Sequence, residues 1–401
     1  MTALDAPWLA ERPVRRLLAA LAQAAIEARF VGGCVRDTLL GEAIGDIDLA
    51  TPARPDAVMA ALRAARIKAV PTGLAHGTVT AVVPPRQFEI TTLRRDVETD
   101  GRHAKVAFDA GWAEDAARRD FTINAIYLAP DGTIFDPVAG RADLAARRVR
   151  FVGDPATRIA EDVLRLLRYY RFEARFGGGD GDPAARAACR VAVTSLPTLS
   201  AERVWRELSR LLAGPDTVRA LGLMRDDGVL AAILPEATRL DRLARLAPRS
   251  GDALLHLAAL VEVDPAGAAA LAERLRLSNA ERDRLVGLTR PWPIDPAGDA
   301  RAQRLAVYRL GRQRYRDLVD LFAAEDETSS GDRLADMLGV ATNWTPPDFP
   351  LRGDDVTALG IAPGPKVGRL LGAVRRWWED GDFAADRAAC LARLSELAAR
   401  T

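Results

Sequence analysis

The sequence predicts an α+β N-terminal domain, a small mixed sheet with helices, followed by an all-α remainder. Three observations carry that expectation. At 401 residues the chain is too long for one hydrophobic core and divides into several packing units. Between Arg29 and Asp143, short alternating runs rich in β-branched residues are separated by Gly, Pro and Asp, the texture of a sheet. After Asp154, apolar residues recur at the spacing of amphipathic helices.

In chain order, helices are expected at Pro13–Ala28, Cys34–Leu40 and Pro55–Ala65. Strands are expected at Phe30-Val31, Gly77–Val83, Phe88–Leu93, Lys105–Phe108, Thr122–Leu128 and Thr133–Asp136. Arg94–Lys105 is polar, with one Gly and little periodicity, and reads as a mobile loop between strands. Helices then follow at Ile159–Phe172, Ala184–Ser195, Ala201–Leu212, Thr217–Asp227 and Gly251–Val261, with a Gly-rich break at Gly177–Asp182. The polar stretch Glu325–Asp332 divides the later helices. The expected divisions are therefore 1–150, 151–215, 216–330 and 331–401.

Composition excludes several classes. Hydrophobic residues at 49% and charged residues at 28% argue against extensive disorder. The 3 cysteines, Cys34, Cys189 and Cys390, are too scattered for a disulfide framework or a metal-ligand pattern, so a reducing cytoplasm is expected. Met1–Ala10 has no signal-peptide pattern, and no apolar run reaches the length of a membrane span. The net charge of +1 neither suggests nor excludes a nucleic-acid partner, because binding needs only a local basic face. His76 and His256 are too isolated to form a hydrolase metal site.

The segment from Phe30 through Gly32-Gly33 to Asp37 reads as strand end, Gly-Gly turn and helix start. Such a turn lets the backbone approach a phosphate, with helix N-terminal N–H groups aimed at it and Arg36 in the first turn as a triphosphate contact. Asp46 and Asp48 follow at the i, i+2 spacing that returns a strand's side chains to one face, so both carboxylates can hold the same hard cation or pair of cations. Two Mg²⁺ ions there would activate a 3′-hydroxyl and stabilise leaving pyrophosphate. Alone, either half also reads as a solvated turn; their order after a strand is the specific signal. Glu89, alternating with apolar neighbours, is either a third metal carboxylate or an exposed strand residue.

Further motifs follow in order: Asp115-Ala-Ala-Arg118-Arg119-Asp120-Phe121-Thr122-Ile123-Asn124, Asp136-Pro137 with Gly140 and Asp143-Leu144, Glu161-Asp162-x-x-Arg165, and Ser200-Ala201-Glu202-Arg203-x-x-x-Glu207. Together with the glycine turn and the aspartate pair, they resemble the class II tRNA nucleotidyltransferase and bacterial poly(A) polymerase family from Arg29 to about Gly214, and more weakly beyond. The resemblance implies a polymerase-β-type nucleotidyltransferase head followed by an all-α neck, body and tail. It makes the five motifs, in order, the metal and triphosphate site, ribose recognition, a head–neck hinge, base recognition, and a helix supporting the neck. A loop at the place of Arg94–Lys105 would assist the switch from C to A addition, and enzymes adding only CC look shortened there. Leu351–Gly368 resembles the family's tail motif, although helix packing explains the same pattern.

The residues bear a physical reading beside the resemblance. Arg118, Arg119 and Asp120 are either a surface charge cluster or, at the mouth of the next apolar run, a substrate contact. Asp115 and Arg118 can hydrogen-bond a ribose hydroxyl, and Asn124 bonds either ribose or nearby backbone. Asp162 and Arg165 at i, i+3 form either an intrahelical salt bridge or a reader of bases. A carboxylate accepting from an amino group and a guanidinium donating to a ring nitrogen suit cytosine and adenine, and leave uracil and guanine unpaired. Arg168 and Arg203 are further candidates for nucleotide or RNA contact, Tyr169 reads as a packing or a stacking residue, and Trp377 and Trp378 read as packing residues. His103 reads as a loop or RNA-contact residue.

The implied activity is template-independent addition of C, C and A to tRNA from CTP and ATP, with Mg²⁺ as cofactor and no membrane or obligatory protein partner. Poly(A) polymerase, a partial CC- or A-adding enzyme, and an inactive RNA-binding relative are the alternatives.

Overall fold

The computed structural model describes residues 4–74, 77–100, 103–325 and 331–400. The chain forms two compact units, Met1–Thr238 and Arg239–Thr401. In the first, a seven-stranded mixed sheet has the order β3-β4-β5-β2-β1-β8-β9. Its strands are β1 (Arg29–Val31), β2 (Ile47–Thr51), β3 (Lys68–Gly73), β4 (Thr78–Val83), β5 (Arg86–Thr92), β8 (Tyr127–Leu128) and β9 (Ile134–Phe135). Helices α1 (Arg12–Gln23), α2 (Gly33–Leu39) and α3 (Pro55–Ala64) accompany them. Ile47 and Leu49 on β2, with Phe88 and Ile90 on β5, enter the core through alternation, leaving Asp48 and Glu89 on the opposite face.

Three expectations are corrected here. Arg94–Lys105 is not a loop: β6 (Arg95–Asp100) and β7 (His103–Ala107) form a separate antiparallel pair. Its Val97 and Thr99 supply strand-compatible positions that a reading of polarity overlooked, while β7 overlaps the strand expected at Lys105–Phe108. The side chain of His103 and all of His76 lie outside the described residues. Thr122–Leu128 is not one strand, because Thr122–Asn124 closes a 3-10 turn before β8. Ile159–Phe172 is not one helix either: α6 (Pro155–Glu161) ends at Asp162, whose φ of −153° and ψ of 107° are extended, and α7 (Leu164–Phe176) begins anew.

Between sheet and helices, α4 (Trp112–Ala117) and α5 (Gly140–Ala145) frame the hinge segment. Gly140 packs so closely that an added Cβ would lie 2.1 Å from the Thr122 carbonyl oxygen. Asp143, wholly buried, accepts from Thr122 Oγ1 at 2.6 Å and from Arg150 Nε at 2.9 Å, and also pairs with Arg148. Phe121, Phe151, Tyr169 and Phe172 form one aromatic cluster, with centroids 4.8 Å apart for Phe121–Phe151, 5.8 Å for the stacked pair Phe151–Tyr169 and 4.9 Å for Phe121–Phe172. That apolar joint sets the sheet against α7. Side-chain caps from Asp154 and Asp182 start α6 and α8 (Pro183–Ala192), and α9 (Ala201–Leu212) packs on α7.

The second unit is helical, from Leu240–Leu246 to Arg387–Ala399. Trp378 is in its core and Trp377 is 37% exposed. His256 is buried with Nε2 against the Ser250 carbonyl at 2.6 Å, a packing role. All three cysteines are buried and free. No helix among the described residues is long and apolar enough to cross a membrane.

Candidate active site

The sheet brings the glycine turn to the carboxylates. Val31 is paired with Asp48 across β1–β2, so Gly32, at φ 76°, turns the chain immediately beside the strand that carries Asp48, with Asp46 just before its start. That left-handed conformation favours glycine over any residue with a Cβ. Asp48 also stands in register with Glu89 on the parallel strand β5. The Asp48 carboxyl is pushed up to about 6, first by burial and then by the charges of Glu89 and Asp46, with Arg119 opposing.

These oxygen donors have the chemistry of a Mg²⁺ site, and a cation would relieve the repulsion that raises Asp48. Among the described residues no three His, Cys, Asp or Glu side chains are gathered closely enough to be a preformed metal cage.

Arg36 is buried, donating Nε to Asp37 at 2.9 Å and Nη1 to Asn124 at 2.6 Å, with its guanidinium 4.1 Å from the Phe176 ring centroid. Asn124 in turn donates to Asp120 at 3.0 Å, so Arg36 and Asn124 belong to one protein network. Asp115 is likewise 1% exposed; Oδ1 takes Arg118 at 2.6 and 2.9 Å, and Oδ2 takes the Tyr127 hydroxyl at 2.7 Å and Arg119 at 3.2 Å. It therefore stands behind Arg118 and Arg119. Burial opposes its charge, yet Arg119, Arg118 and Tyr127 hold the carboxyl below the usual carboxylate range.

A cavity of about 380 Å³ opens where the sheet domain meets α6, α7 and α9. Arg118, Arg119 and Asp120 line one wall; Asp162, Arg165, Arg168 and Arg203 line the other. Arg119 joins the cavity to the carboxylate face, because it also acts on Asp48 and comes within 4.0 Å of a Cβ built on Gly32. Arg168 donates Nε to Asp120 at 2.9 Å and reaches Glu207 at 4.0 Å.

Asp162 and Arg165 do not pair with each other in the way their spacing allowed. Arg203 Nη2 donates to both Asp162 oxygens, at 2.9 and 2.8 Å, and Arg165 Nη1 donates to Glu161 at 2.5 Å. The end of α6 at Asp162, where the backbone is extended, removes the shared helix face on which an i, i+3 bridge depends.

Residues 28–150 match the model of the poly A polymerase head domain, and residues 182–240 match that of the probable RNA and SrmB-binding site of polymerase A. The chain is 33% identical over 384 residues to the mitochondrial CCA tRNA nucleotidyltransferase 1 of Danio rerio, covering 92% of this chain and 87% of that protein. The chain belongs to the class II CCA-adding tRNA nucleotidyltransferase family. A second CCA-adding enzyme of the family, from Limosilactobacillus fermentum, is 30% identical over 399 residues, 96% of each chain. The crystal structure of the Bacillus stearothermophilus CCA-adding enzyme in complex with CTP superimposes with a TM-score of 0.78 at 29% identity, covering 97% of this chain and 98% of that one. Membership makes the chain an enzyme, a nucleotidyltransferase.

Within this CCA-adding family member, reading the sequence missed the work of Glu161, Arg158 and Tyr127. Arg158 bridges Glu161 at 2.5 Å and the Ala117 carbonyl at 3.3 Å, tying α6 to the end of α4. The i, i+3 spacing of Arg158 and Glu161 was a readable signal for the first contact; nothing local signals the second.

Proposed function

We propose that this chain adds C, C and A to the 3′ end of tRNA from CTP and ATP, without a nucleic-acid template, releasing pyrophosphate. The observation that carries this reading is the single cavity faced by Arg118 and Arg119 on one wall and by Asp162 and Arg165 on the other. A nucleotide there has its sugar beside Arg118 and its base edge beside Asp162 and Arg165. Asp162 accepts from the exocyclic amino group and Arg165 donates to the ring nitrogen, a pattern that cytosine and adenine complete and uracil and guanine do not. The tRNA and CTP named for the relatives fit this assignment.

Asp46 and Asp48, with Glu89 beside them, would hold two Mg²⁺ ions. When bound, Mg²⁺ supplies acidification of the primer hydroxyl and neutralisation of charge on the departing pyrophosphate. The protein's own part is orientation. The turn at Gly32-Gly33 brings backbone N–H groups to the triphosphate. Arg36, through Asn124, fixes the first turn of α2 against the ribose motif. Asp115 aims Arg118 and Arg119 into the cavity. The cluster of Phe121, Phe151 and Tyr169 keeps the two walls at a constant separation.

The test supplies tRNA ending before CCA with CTP and ATP, singly and together, and sequences the product ends. CC from CTP alone and CCA from both is the expected result. Long A tails on unrelated RNA would overturn the reading.

A further inference from the structure

We infer that Tyr127 is a positioning residue for the metal site: its hydroxyl keeps Arg119 on Asp115 and off Asp48, so that the Asp48 carboxylate stays open to a cation. The inference rests on the reading of Asp46 and Asp48 as metal ligands given above.

Glu89, Asp48, Val31 and Tyr127 are successive register partners across β5, β2, β1 and β8, so Tyr127 stands on the carboxylate face, one strand beyond Val31. Its ring is buried, edge-on to Trp112 at 5.6 Å and tilted against Phe135 at 6.0 Å. The hydroxyl donates to Asp115 Oδ2 at 2.7 Å and accepts from Arg119 Nε at 3.1 Å, closing a triangle with the 3.3 Å contact from Nε to Oδ2. Among the described residues the ion pair of Arg119 is with Asp115, and none is with Asp48. Yet Arg119 is near enough to act on the Asp48 charge. Its Nη1 comes within 4.0 Å of a Cβ built on Gly32, next to Val31, the strand partner of Asp48.

Charge alone favours a different partner for Arg119. Asp115 already carries Arg118, which takes Oδ1 at 2.6 and 2.9 Å, so Oδ2 is left for Arg119, at 3.2 and 3.3 Å. Those contacts are longer than the roughly 2.7–2.9 Å of a well-formed guanidinium–carboxylate pair. Asp48, by contrast, has the further negative charges of Asp46 and Glu89 acting on it, a stronger pull on a cation than one half-neutralised Asp115. A guanidinium released from the hydroxyl therefore moves toward Asp48 and competes there with a metal ion. The Tyr127 hydroxyl opposes that move by serving both partners at once: it satisfies the buried Asp115 oxygen and gives Arg119 Nε an acceptor.

Tyr127→Phe deletes the hydroxyl and keeps the ring that packs on Trp112 and Phe135. With the full chain and no nucleotide, Mn²⁺ binding is titrated by calorimetry, and the Mg²⁺ dependence of CTP incorporation into tRNA lacking CCA is measured beside it. Tyr127→Phe should weaken Mn²⁺ binding by about threefold to tenfold, the worth of one hydrogen bond, and high Mg²⁺ should restore its kcat. In an Arg119→Met background the same change should have no further effect on Mn²⁺ binding, because the competing cation is gone. Asp48→Asn is the control for the metal reading and should abolish tight Mn²⁺ binding. If Tyr127→Phe binds Mn²⁺ as wild type does while Asp48→Asn does not, the inference is overturned and the metal reading survives. If Asp48→Asn binds as well as wild type, that reading falls and takes the inference with it. Equal weakening by Tyr127→Phe with and without Arg119 would confine Tyr127 to folding and also overturn the inference. Should Tyr127→Phe fail to fold, Arg119→Lys decides the matter. An ammonium cannot span Tyr127 and Asp115 together, so Mn²⁺ binding should weaken likewise, and wild-type binding refutes the inference.

Discussion

Asp48 on β2 stands in parallel register with Glu89 on β5, two carboxylates side by side on one face of the sheet. Burial and that neighbour raise the Asp48 carboxyl to about 6 from an ordinary 3.8, so at neutral pH the Asp48 charge weakens the fold. An acid whose folded pKa is raised weakens the fold above that pKa, and the penalty fades as pH falls to the unfolded value. In EDTA at pH 7.5, Asp48→Asn should therefore melt higher than wild type, by on the order of 1–2 kcal/mol after solvent screening, while losing all transfer activity. The difference should shrink as pH falls from about 6 to about 4. Thermal melts across that range check it, and an unchanged gap would refute the charge argument. Glu89→Gln should raise the Mg²⁺ concentration needed for half-maximal rate if Glu89 is a ligand, and leave it unaltered if it is not.

Asp120 behaves in the opposite sense. Burial disfavours its charge, but the Arg168 guanidinium and the Asn124 amide more than offset this and hold the carboxyl at about 2. Its stabilising contribution is present above the unfolded value of 3.8 and disappears as pH falls through about 2. Asp120→Asn should cost about 2 kcal/mol at pH 7, and the gap from wild type should close between about pH 4 and pH 2. Denaturant titrations at several pH values measure it.

Asp115 sits behind the cavity wall formed by Arg118 and Arg119 and anchors both, together with Tyr127. Asp115→Asn removes the charge that both guanidinium groups share, at a cost of about 3 kcal/mol in stability. It should also reduce preference for CTP over dCTP, because Arg118 loses its fixed aim. Competition between the two nucleotides reads this directly; an unaltered ratio with lowered stability would confine Asp115 to folding.

Gly140 has no room for a methyl group, with the Thr122 carbonyl oxygen 2.1 Å from where a Cβ would stand. Gly140→Ala should destabilise the first unit by at least about 2 kcal/mol through forced backbone movement. A substantially lowered melting temperature is the expected result, with wild-type stability as the disproof.

What the sequence determined by itself was everything that depends on neighbours along the chain. Alternation placed Ile47 and Leu49 inward and Asp48 outward; the Gly32-Gly33 turn announced itself by composition. Ala201–Leu212 was legible to the residue from its apolar spacing. The motifs also named the residues that line the cavity, because their order along the chain is a chain-level property. Tertiary structure decided the partners. Spacing offered Asp162 to Arg165, but the chain leaves the helix at Asp162 and packs α9 alongside, so Arg203, 41 residues away, takes the carboxylate. Spacing likewise offered Arg36 to a phosphate, yet folding buries it against Asn124, 88 residues on. Charges have no period: which of several nearby groups a carboxylate binds depends on which distant segment the core brings within hydrogen-bond reach, and only the packed chain settles that.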